Sequence, residues 1–250
     1  MFAVILAAGR GTRMGALTAS TPKPLLPLHG RPIIAHILDG LAGAGVTRAV
    51  VVTGYRGEQI EAHLGDGAAH GLQLVFRRQA TADGTARALT LVRDLVDNAP
   101  FVLSWGDVVV EPHVYRTVVD TFRARPVDLV LTVNHTDDPW RGGAVYVDET
   151  WRVTRLVEKP PRGTSTTTWN NAGIFVFSPS IFPYVDRLAP SARGEYELPQ
   201  AVAAMLADGR DVRAVPVRGF CSDLGTPEDL AAAQQLYVPR TTPASDDTTS

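Results

Sequence analysis

The sequence predicts an α/β fold, in which a mixed, mostly parallel sheet is flanked by helices within a single domain. Apolar runs of strand length alternate with amphipathic segments of helix length through the first part of the chain. This alternation is typical of parallel strands joined by helices that cover the sheet. The chain has 250 residues, of which 45% are hydrophobic, so it is long enough to bury a large core. Neither an internal repeat nor a linker-like segment divides it.

The first part of the chain predicts strands and helices in turn. Residues 2–8 form a continuous apolar run, which indicates a buried strand. Pro32 opens a helix, because apolar side chains then recur at intervals of three and four residues up to Leu41. The elements that follow are a strand at 48–53, a helix at 58–64, a strand at 72–76, a helix at 84–95 and a strand at 101–104.

The pattern changes after Asp107, where the apolar runs become shorter and the turns tighter. This change predicts a partly antiparallel extension of the sheet. Its elements are a helix at 113–123, strands at 129–133, 143–147, 153–157 and 172–177, helices at 180–188 and 197–206, a strand at 212–217 and a helix at 227–236. The last residues, 239–250, are polar and contain no aromatic side chain, so we expect a disordered tail.

A loop of glycines and basic residues follows the first strand. Gly9 and Gly11 come first, then Arg13, and Lys23 stands between two prolines. Glycines let backbone N–H groups approach a phosphate closely, because no Cβ is in the way. A lone Gly-x-Gly is more often an ordinary turn, but the added Arg, Lys and prolines favour a phosphate site.

Two other phosphate loops do not fit this stretch. The P-loop ends in Gly-Lys-Ser/Thr, which is absent here. The dinucleotide fingerprint is G-x-G-x-x-G, whereas this chain has Gly9, Gly11 and Gly15 with no helix directly after them. The glycine spacing therefore disfavours a nicotinamide-dependent oxidoreductase.

Composition limits the partners and the compartment. The formal net charge of −2 argues against nucleic-acid binding, which usually requires a basic surface. The single cysteine, Cys221, excludes an intramolecular disulfide and suits a reducing cytoplasm. The first apolar run is too short for a signal peptide or a membrane span. We expect a cytoplasmic protein that binds neither nucleic acid nor membrane.

Two lysines and two aspartates stand out as candidates for chemistry. Among 24 basic residues only Lys23 and Lys159 are lysines, and both lie beside prolines. Asp107 follows the strand at 101–104, and Asp223 precedes the last helix. An open α/β sheet binds ligands at the carboxyl ends of its strands, and two carboxylates there would hold one Mg²⁺. The alternative for either aspartate alone is a turn or a cap, and we expect Asp229 to be a helical surface residue.

Residues 6–34, LAAGRGTRMGALTASTPKPLLPLHGRPII, resemble the signature of the sugar-1-phosphate nucleotidylyltransferases. That signature usually reads G-x-G-T-R-x-x-P-L-T-x-x-x-P-K-P, and Ala16 stands where a Pro is usual. The resemblance implies a Rossmann-like (GT-A-like) catalytic domain over 1–238, with a nucleotide-binding half at about 1–110 and a sugar-phosphate-binding half at about 111–238. It also implies Mg²⁺-dependent formation of an NDP-sugar and pyrophosphate from an NTP and a sugar 1-phosphate.

The same resemblance implies roles for individual residues. The nucleotide would be bound by Leu6, Ala8, Gly9, Gly11, Thr12, Arg13, Gln79, Gly84 and Asp107. The sugar phosphate would be bound by Gly143, Glu158, Lys159 and Asn171, and Mg²⁺ by Asp107 and Asp223. The catalytic charges would be those of Arg13, Lys23, Asp107 and Lys159. Without the resemblance, Glu158 and Lys159 would be an exposed ion pair before a proline turn.

Gln79 and Gly84 bear on the choice of nucleotide. A side-chain amide presents a donor and an acceptor together, and the backbone N–H or C=O of Gly84 would complete the reading of a base. The five-residue spacing is that of thymidylyl- and uridylyl-transferring relatives, so dTTP or UTP is favoured over GTP, ATP and CTP. A polar loop before a helix is the alternative.

The oligomeric state stays open, and a homo-oligomer is compatible with the resemblance. A non-catalytic sugar-nucleotide-binding regulator on the same fold is the remaining alternative function. It is disfavoured because the charged residues of the signature are intact.

Overall fold

The computed structural model describes residues 1–96 and 98–239. Its strands are β1 Phe2–Ala7, β2 Pro27–Leu28, β3 Arg31–Pro32, β4 Arg48–Thr53, β5 Gln73–Arg78, β6 Phe101–Trp105, β7 Val109–Val110, β8 Leu129–His135, β9 Gly143–Val147, β10 Val153–Glu158, β11 Trp169–Phe177, β12 Val212–Pro216 and β13 Cys221–Ser222. Its helices are α1 Ile33–Gly43, α2 Gly57–Leu64, α3 Thr85–Thr90, α4 Arg93–Val96, α5 His113–Arg123, α6 Phe182–Asp186, α7 Leu198–Ala207 and α8 Pro227–Leu236.

Within these ranges, nine strands form one central sheet in the order β10-β9-β11-β6-β1-β4-β5, and β8 pairs with both β11 and β12. Strands β6, β1, β4 and β5 are parallel, and so are β8 and β12. Antiparallel pairing joins β11 to β6, β8 and β9, and β9 to β10. The predicted α/β fold with a mixed, mostly parallel sheet is therefore confirmed, including the antiparallel extension in the second part.

Both faces of the sheet are covered, which explains why its central strands are continuously apolar. On β1, Ala3 and Ile5 belong to the core cluster under α1, α2 and α5. Val4 belongs to the cluster under α3, α6 and α7. All three side chains are fully buried. A strand buried on both faces needs apolar side chains at every position, as the run at 2–8 predicts.

Strand β11 changes partner along its length, and a glycine makes the change possible. Asn170 pairs with Ala144 of β9, whereas the residues from Ile174 onward pair with β6. Between them the register with β8 shifts, and Gly173 has a φ of +77°. A Cβ on Gly173 would lie 2.4 Å from the Trp105 ring. The glycine thus lets Trp105 pack into the bend.

Most predicted elements lie within a few residues of their observed bounds, and two predicted helices are divided. The helix predicted at 84–95 is two short helices, α3 and α4. The side chain of Thr90 donates to the carbonyl of Arg87 at 2.7 Å, which competes with helical pairing at the end of α3. The helix predicted at 180–188 is a 3₁₀ turn, Pro179–Ile181, followed by α6.

Two pairs of very short strands were not predicted: β2 with β3, and β7 with β13. Two residues are too few to show a period of two. Apart from Pro239, the predicted disordered tail lies outside the described residues. No helix in the described ranges combines the length and the apolar character needed to cross a membrane.

Candidate active site

A cleft of about 640 Å³ opens at the carboxyl ends of the parallel strands. Leu6 and Ala8 lie where β1 ends, Gln79 follows β5, and Asp107 follows β6. All the site residues predicted from the sequence line this cleft: Leu6, Ala8, Gly9, Gly11, Thr12, Arg13, Lys23, Gln79, Gly84, Asp107, Gly143, Glu158, Lys159, Asn171 and Asp223.

Lys23 connects the two predicted metal ligands. Its ammonium donates to Asp107 Oδ2 at 2.8 Å and to the backbone carbonyl of Asp223 at 3.0 Å. Lys23 is only 5% exposed, so these partners compensate for its lost hydration. The antiparallel pairing of β7 with β13, which places Val109 opposite Ser222, brings the two aspartates to the same end of the cleft.

The glycine loop is shaped by one left-handed residue. Gly11 has a φ of +64°, and its carbonyl accepts from the N–H of Met14 at 2.9 Å and the hydroxyl of Thr18 at 3.0 Å. A Cβ on Gly11 would also lie 3.2 Å from Cβ of Lys23. Another side chain at this position would therefore strain the backbone and press on Lys23. Gly11 fixes the course of the loop beside the buried ammonium.

The Arg13 guanidinium lies against Gly225, a glycine that the sequence analysis did not single out. A Cβ on Gly225 would lie 3.2 Å from both terminal nitrogens of Arg13. Gly225 thus leaves room for the guanidinium against the loop that follows Asp223. Asp229, expected on the helix surface, lies at the edge of the cleft, where its carboxylate caps α8 by accepting from Thr226.

Gln79 is held in one orientation. Its side-chain NH₂ group donates to Asp83 Oδ1 at 2.9 Å and to the carbonyl of Gly84 at 3.1 Å. That carbonyl also accepts from the N–H of Ala88. Of the two backbone groups proposed for base reading at Gly84, the C=O is therefore engaged. Its N–H has no protein partner within the described residues, and Gln79 Oε1 is the remaining side-chain acceptor.

Glycine also permits close packing on the opposite side of the cleft. Glu158 lies opposite Gly143 in the β9–β10 ladder. A Cβ on Gly143 would lie 3.1 Å from Glu158 Oε2 and 3.4 Å from Cβ of Asn171. Burial raises the pKa of the Glu158 carboxyl, the Lys159 ammonium opposes this, and the Glu197 carboxylate adds to it. The carboxyl thus exchanges its proton at a higher pH than an ordinary glutamate.

Lys159 differs from Lys23 in its surroundings. It is exposed, and its backbone has a φ of +45°, held by a hydrogen bond from its N–H to the carbonyl of Gly142 at 2.9 Å. A left-handed conformation at a lysine is uncommon and is maintained here by the end of the β10 strand.

Three buried polar atoms in the cleft wall have no partner within the described part of the chain: Trp105 Nε1, Asn170 Oδ1 and Asn171 Nδ2. Asn171 is fixed because its Oδ1 accepts from the N–H of Gly173 at 3.0 Å. Leaving a buried donor or acceptor unpaired costs about 1–3 kcal/mol. Trp105 and Asn170 were missed by the sequence analysis. The signal for them was polar atoms inside apolar strands, in VLSWGD and WNNAGIF.

The segment 191–197 was also missed, because it carries no recognisable motif. Glu195 lines the cleft. Glu197 is buried and accepts from the guanidinium of Arg193 and the hydroxyl of Ser191. A terminal nitrogen of Arg193 lies 3.9 Å from Glu158 Oε1. This segment therefore adds charge beside the predicted sugar-binding residues.

A metal in this cleft would depend on few protein ligands. Residues 1–96 and 98–239 contain no group of three or more His, Cys, Asp or Glu side chains able to hold a metal. Burial and the charge of Asp223 raise the pKa of the Cys221 thiol to about 12, so this cleft residue is a neutral thiol near pH 7. Cys221 is therefore not activated as a nucleophile.

Comparisons with known proteins agree with this arrangement. A family model described as nucleotidyl transferase matches residues 2–239. UTP–glucose-1-phosphate uridylyltransferase AglF of Haloferax volcanii is 34% identical over 248 residues, covering 98% of this chain and 100% of that protein. Low-salt glycan biosynthesis nucleotidyltransferase Agl11 of the same organism is 32% identical over 239 residues, and the chain spans 66% of its length. The crystal structure of a candidate glucose-1-phosphate thymidylyltransferase from Bacillus anthracis superposes with a TM-score of 0.85 at 29% identity, covering 94% of this chain and 95% of that one.

Proposed function

The chain belongs to the sugar-1-phosphate nucleotidylyltransferase family, and we propose that it converts an NTP and a sugar 1-phosphate into an NDP-sugar and pyrophosphate. One observation carries this proposal. The cleft holds a glycine loop with a buried ammonium between two aspartates at one end, and a half-buried glutamate with a buried asparagine at the other. The first end would bind a ligand rich in phosphate, and the second end would bind a ligand rich in hydroxyl groups.

The chemistry needs positioning and charge neutralisation. A phosphate oxygen of the sugar 1-phosphate forms a bond to the α-phosphorus of the NTP, and the bond from that phosphorus to pyrophosphate breaks. Arg13 and Lys23 would offset the charge of the triphosphate, and Lys159 that of the incoming phosphate. Transfers of this kind depend on such electrostatic stabilisation and on in-line placement of the reactants.

Asp107 and Asp223 are the residues that would hold Mg²⁺. Both line the cleft, and Lys23 bonds to Oδ2 of Asp107, which leaves Oδ1 for another cation. Two carboxylates suit this ion, because Mg²⁺ usually takes its other ligands from phosphate oxygens and water. When bound, the ion would supply positive charge at the reacting phosphates. Lys23 would hold the Asp107 carboxylate in place for it.

For the nucleotide we favour UTP or dTTP. Gln79 has both amide hydrogens engaged, so it offers an acceptor, and the Gly84 N–H offers a donor. Uracil and thymine present the complementary pair, N3–H beside a carbonyl. Cytosine and adenine present a ring acceptor where Gln79 Oε1 needs a donor. Guanine differs by its amino group and its larger ring system.

A matrix of NTPs against sugar 1-phosphates, with pyrophosphate release as the readout, tests the proposal. We expect release only when both substrates are present, and highest rates with UTP or dTTP. If the protein bound a sugar nucleotide but turned over no pair of NTP and sugar 1-phosphate, the alternative of a non-catalytic sugar-nucleotide-binding regulator would be supported instead. Pyrophosphate release that needs no sugar phosphate would contradict the proposed transfer.

A further inference from the structure

Two segments that approach the cleft from different parts of the chain are joined by backbone hydrogen bonds. The N–H of Tyr196 donates to the carbonyl of Asp83 at 2.8 Å, and the N–H of Ala86 donates to the carbonyl of Tyr196 at 2.9 Å. The N–H of Leu198 donates to Thr85 Oγ1 at 2.9 Å. We call these three bonds, together with the contact between Arg87 and Tyr196, the clasp.

The clasp depends on a glycine and carries one contact outside the cleft. A Cβ on Gly84 would lie 2.3 Å from the carbonyl oxygen of Tyr196 and 2.6 Å from its nitrogen. The guanidinium carbon of Arg87 lies 4.0 Å from the centre of the Tyr196 ring. Arg87 is exposed and is not among the residues that line the cleft. This contact can therefore be removed without changing the cleft wall.

Each side of the clasp continues to one end of the cleft. On one side, Asp83 and Gly84 accept from the amide of Gln79. On the other side, Tyr196 is followed by Glu197, which holds Arg193 close to Glu158. A continuous set of contacts thus runs from the proposed base-reading residue to the proposed sugar-binding residues.

We propose that Arg87 and Tyr196 are positioning residues that couple the two substrates, an inference that rests on the proposed function for the identity of the ligands. The clasp fixes segment 191–197 relative to the loop that reads the base. A nucleotide bound at Gln79 and Gly84 adds contacts to that loop and stabilises it further, and the clasp transmits this stabilisation to segment 191–197. The sugar 1-phosphate then orders less of the chain on binding, so it binds more tightly.

Arg87→Ala tests this coupling, with Arg93→Ala as the matched control. Loss of the cation–π contact should raise the KM for the sugar 1-phosphate at saturating NTP, and the KM for the NTP at saturating sugar 1-phosphate, each by about threefold to tenfold, with kcat and the Kd of UTP alone near wild type. Arg93 makes the same kind of contact, 4.7 Å from the Phe182 ring, but is not part of the clasp. Its variant should keep both KM values. A rise in only one of the two KM values for Arg87→Ala, or a weaker Kd for UTP alone, would overturn the coupling.

A double-mutant cycle tests whether Arg87 acts through the aromatic ring. Tyr196→Ala should raise the KM for the sugar 1-phosphate as Arg87→Ala does, and the double variant should match either single variant. Tyr196→Phe keeps the aromatic ring, so its KM values and kcat should equal those of the wild-type protein. Additive effects in the double variant, or a loss in Tyr196→Phe equal to that in Tyr196→Ala, would contradict the assigned contact.

Hydrogen exchange gives a readout that does not need turnover. In the ligand-free protein, amides of 191–198 should exchange faster in Arg87→Ala than in wild type or Arg93→Ala. In wild type, UTP should slow exchange in both 79–86 and 191–198. Slowing confined to 79–86 would overturn the coupling. If no pair of substrates were turned over, the proposed function would fail, whereas unchanged ligand-free exchange in Arg87→Ala would reject the clasp itself.

Discussion

The two sides of the cleft differ in how their polar groups are satisfied. On the side of β1, β5 and β6, the protein itself engages the proposed ligand-binding groups. Lys23 bonds to two partners, and the Gln79 amide donates twice. On the side of β9, β10 and β11, Asn170 and Asn171 each keep a buried polar atom without a partner in the described ranges, and Lys159 is exposed.

This difference indicates where binding energy is to be gained. The first side is preorganised, so a nucleotide would meet groups already held in place. On the second side, a sugar that reaches the unpaired atoms would remove desolvation costs of about 1–3 kcal/mol for each of them. We therefore expect discrimination among sugars to depend on Asn170 and Asn171.

The largest expected effect is a loss of kcat when the carboxylates on the first side of the cleft are substituted. Asp107→Asn and Asp223→Asn should each lower kcat by at least about a hundredfold with the fold intact, since each removes a charge from the proposed Mg²⁺ site. The loss of kcat is measured from rates at saturating substrates, and the Mg²⁺ dependence from activation curves. Circular dichroism checks that the fold is intact. Asp120→Asn makes the same change at an exposed residue of α5 that does not line the cleft, and it should keep wild-type activity. Near-normal turnover in either of the first two variants would rule out a shared ion.

The next effect separates the two lysines. Lys23→Ala should mainly lower kcat, by about tenfold to a hundredfold, because the buried ammonium holds Asp107 and would neutralise charge on the reacting phosphates. Lys159→Ala should raise the KM for the sugar 1-phosphate by about tenfold, as expected for loss of a charged contact. Steady-state kinetics with each substrate varied in turn distinguish them. A change confined to the KM for the NTP in Lys159→Ala would show that this lysine serves the nucleotide side.

A smaller effect concerns the base. UTP or dTTP should be preferred over GTP and CTP by kcat/KM, and Gln79→Ala should narrow the preference over CTP by about tenfold, since the Oε1 acceptor that suits a ring N–H but not the cytosine ring nitrogen is lost. Gln73→Ala is the matched control, because Gln73 is exposed at the start of the same strand. A clear preference of the wild-type protein for GTP would refute the pyrimidine assignment without affecting nucleotidylyl transfer.

The smallest expected effect is a change in the KM for the sugar 1-phosphate when a residue on the second side of the cleft is substituted. Asn171→Ala should raise the KM for the sugar 1-phosphate by about threefold to fivefold and leave the KM for the NTP unchanged. Thr132→Val also removes hydrogen bonds at the bend of β11, to the backbone of Ile174, but Thr132 does not line the cleft. It should lower Tm without a change in either KM. If the KM for the sugar 1-phosphate rose in proportion to the loss of Tm in both variants alike, Asn171 would have only a structural role.

The first side was predictable because its signals are local. The glycine loop, Arg13 and Lys23 lie within one stretch, and the strands around it are continuously apolar. The pairing of Lys23 with Asp107 was not predictable, because these residues are 84 positions apart. The approach of Asp107 to Asp223 was not predictable either, because the two-residue pairing of β7 with β13 that brings them together is too short to leave a pattern.

The second side was only partly predictable because it is assembled from distant segments. Glu158 and Asn171 were recognised through the family resemblance, and the structure places both beside Gly143. Asn170 and Trp105 occur in strands that otherwise look like core, and segment 191–197 has no periodicity. The places of Asn170 and Trp105 in the cleft depend on the change of partner along β11, which the sequence does not reveal.

The most direct measurement follows a labelled phosphorus through the reaction. With UTP or dTTP labelled at the α-phosphate, and a sugar 1-phosphate that supports turnover, we expect the label to appear in the NDP-sugar. Label at the γ-phosphate should appear in pyrophosphate, with one pyrophosphate formed for each NDP-sugar. Appearance of the α-label in free nucleoside mono- or diphosphate, at a rate independent of the sugar 1-phosphate, would contradict nucleotidylyl transfer to a sugar.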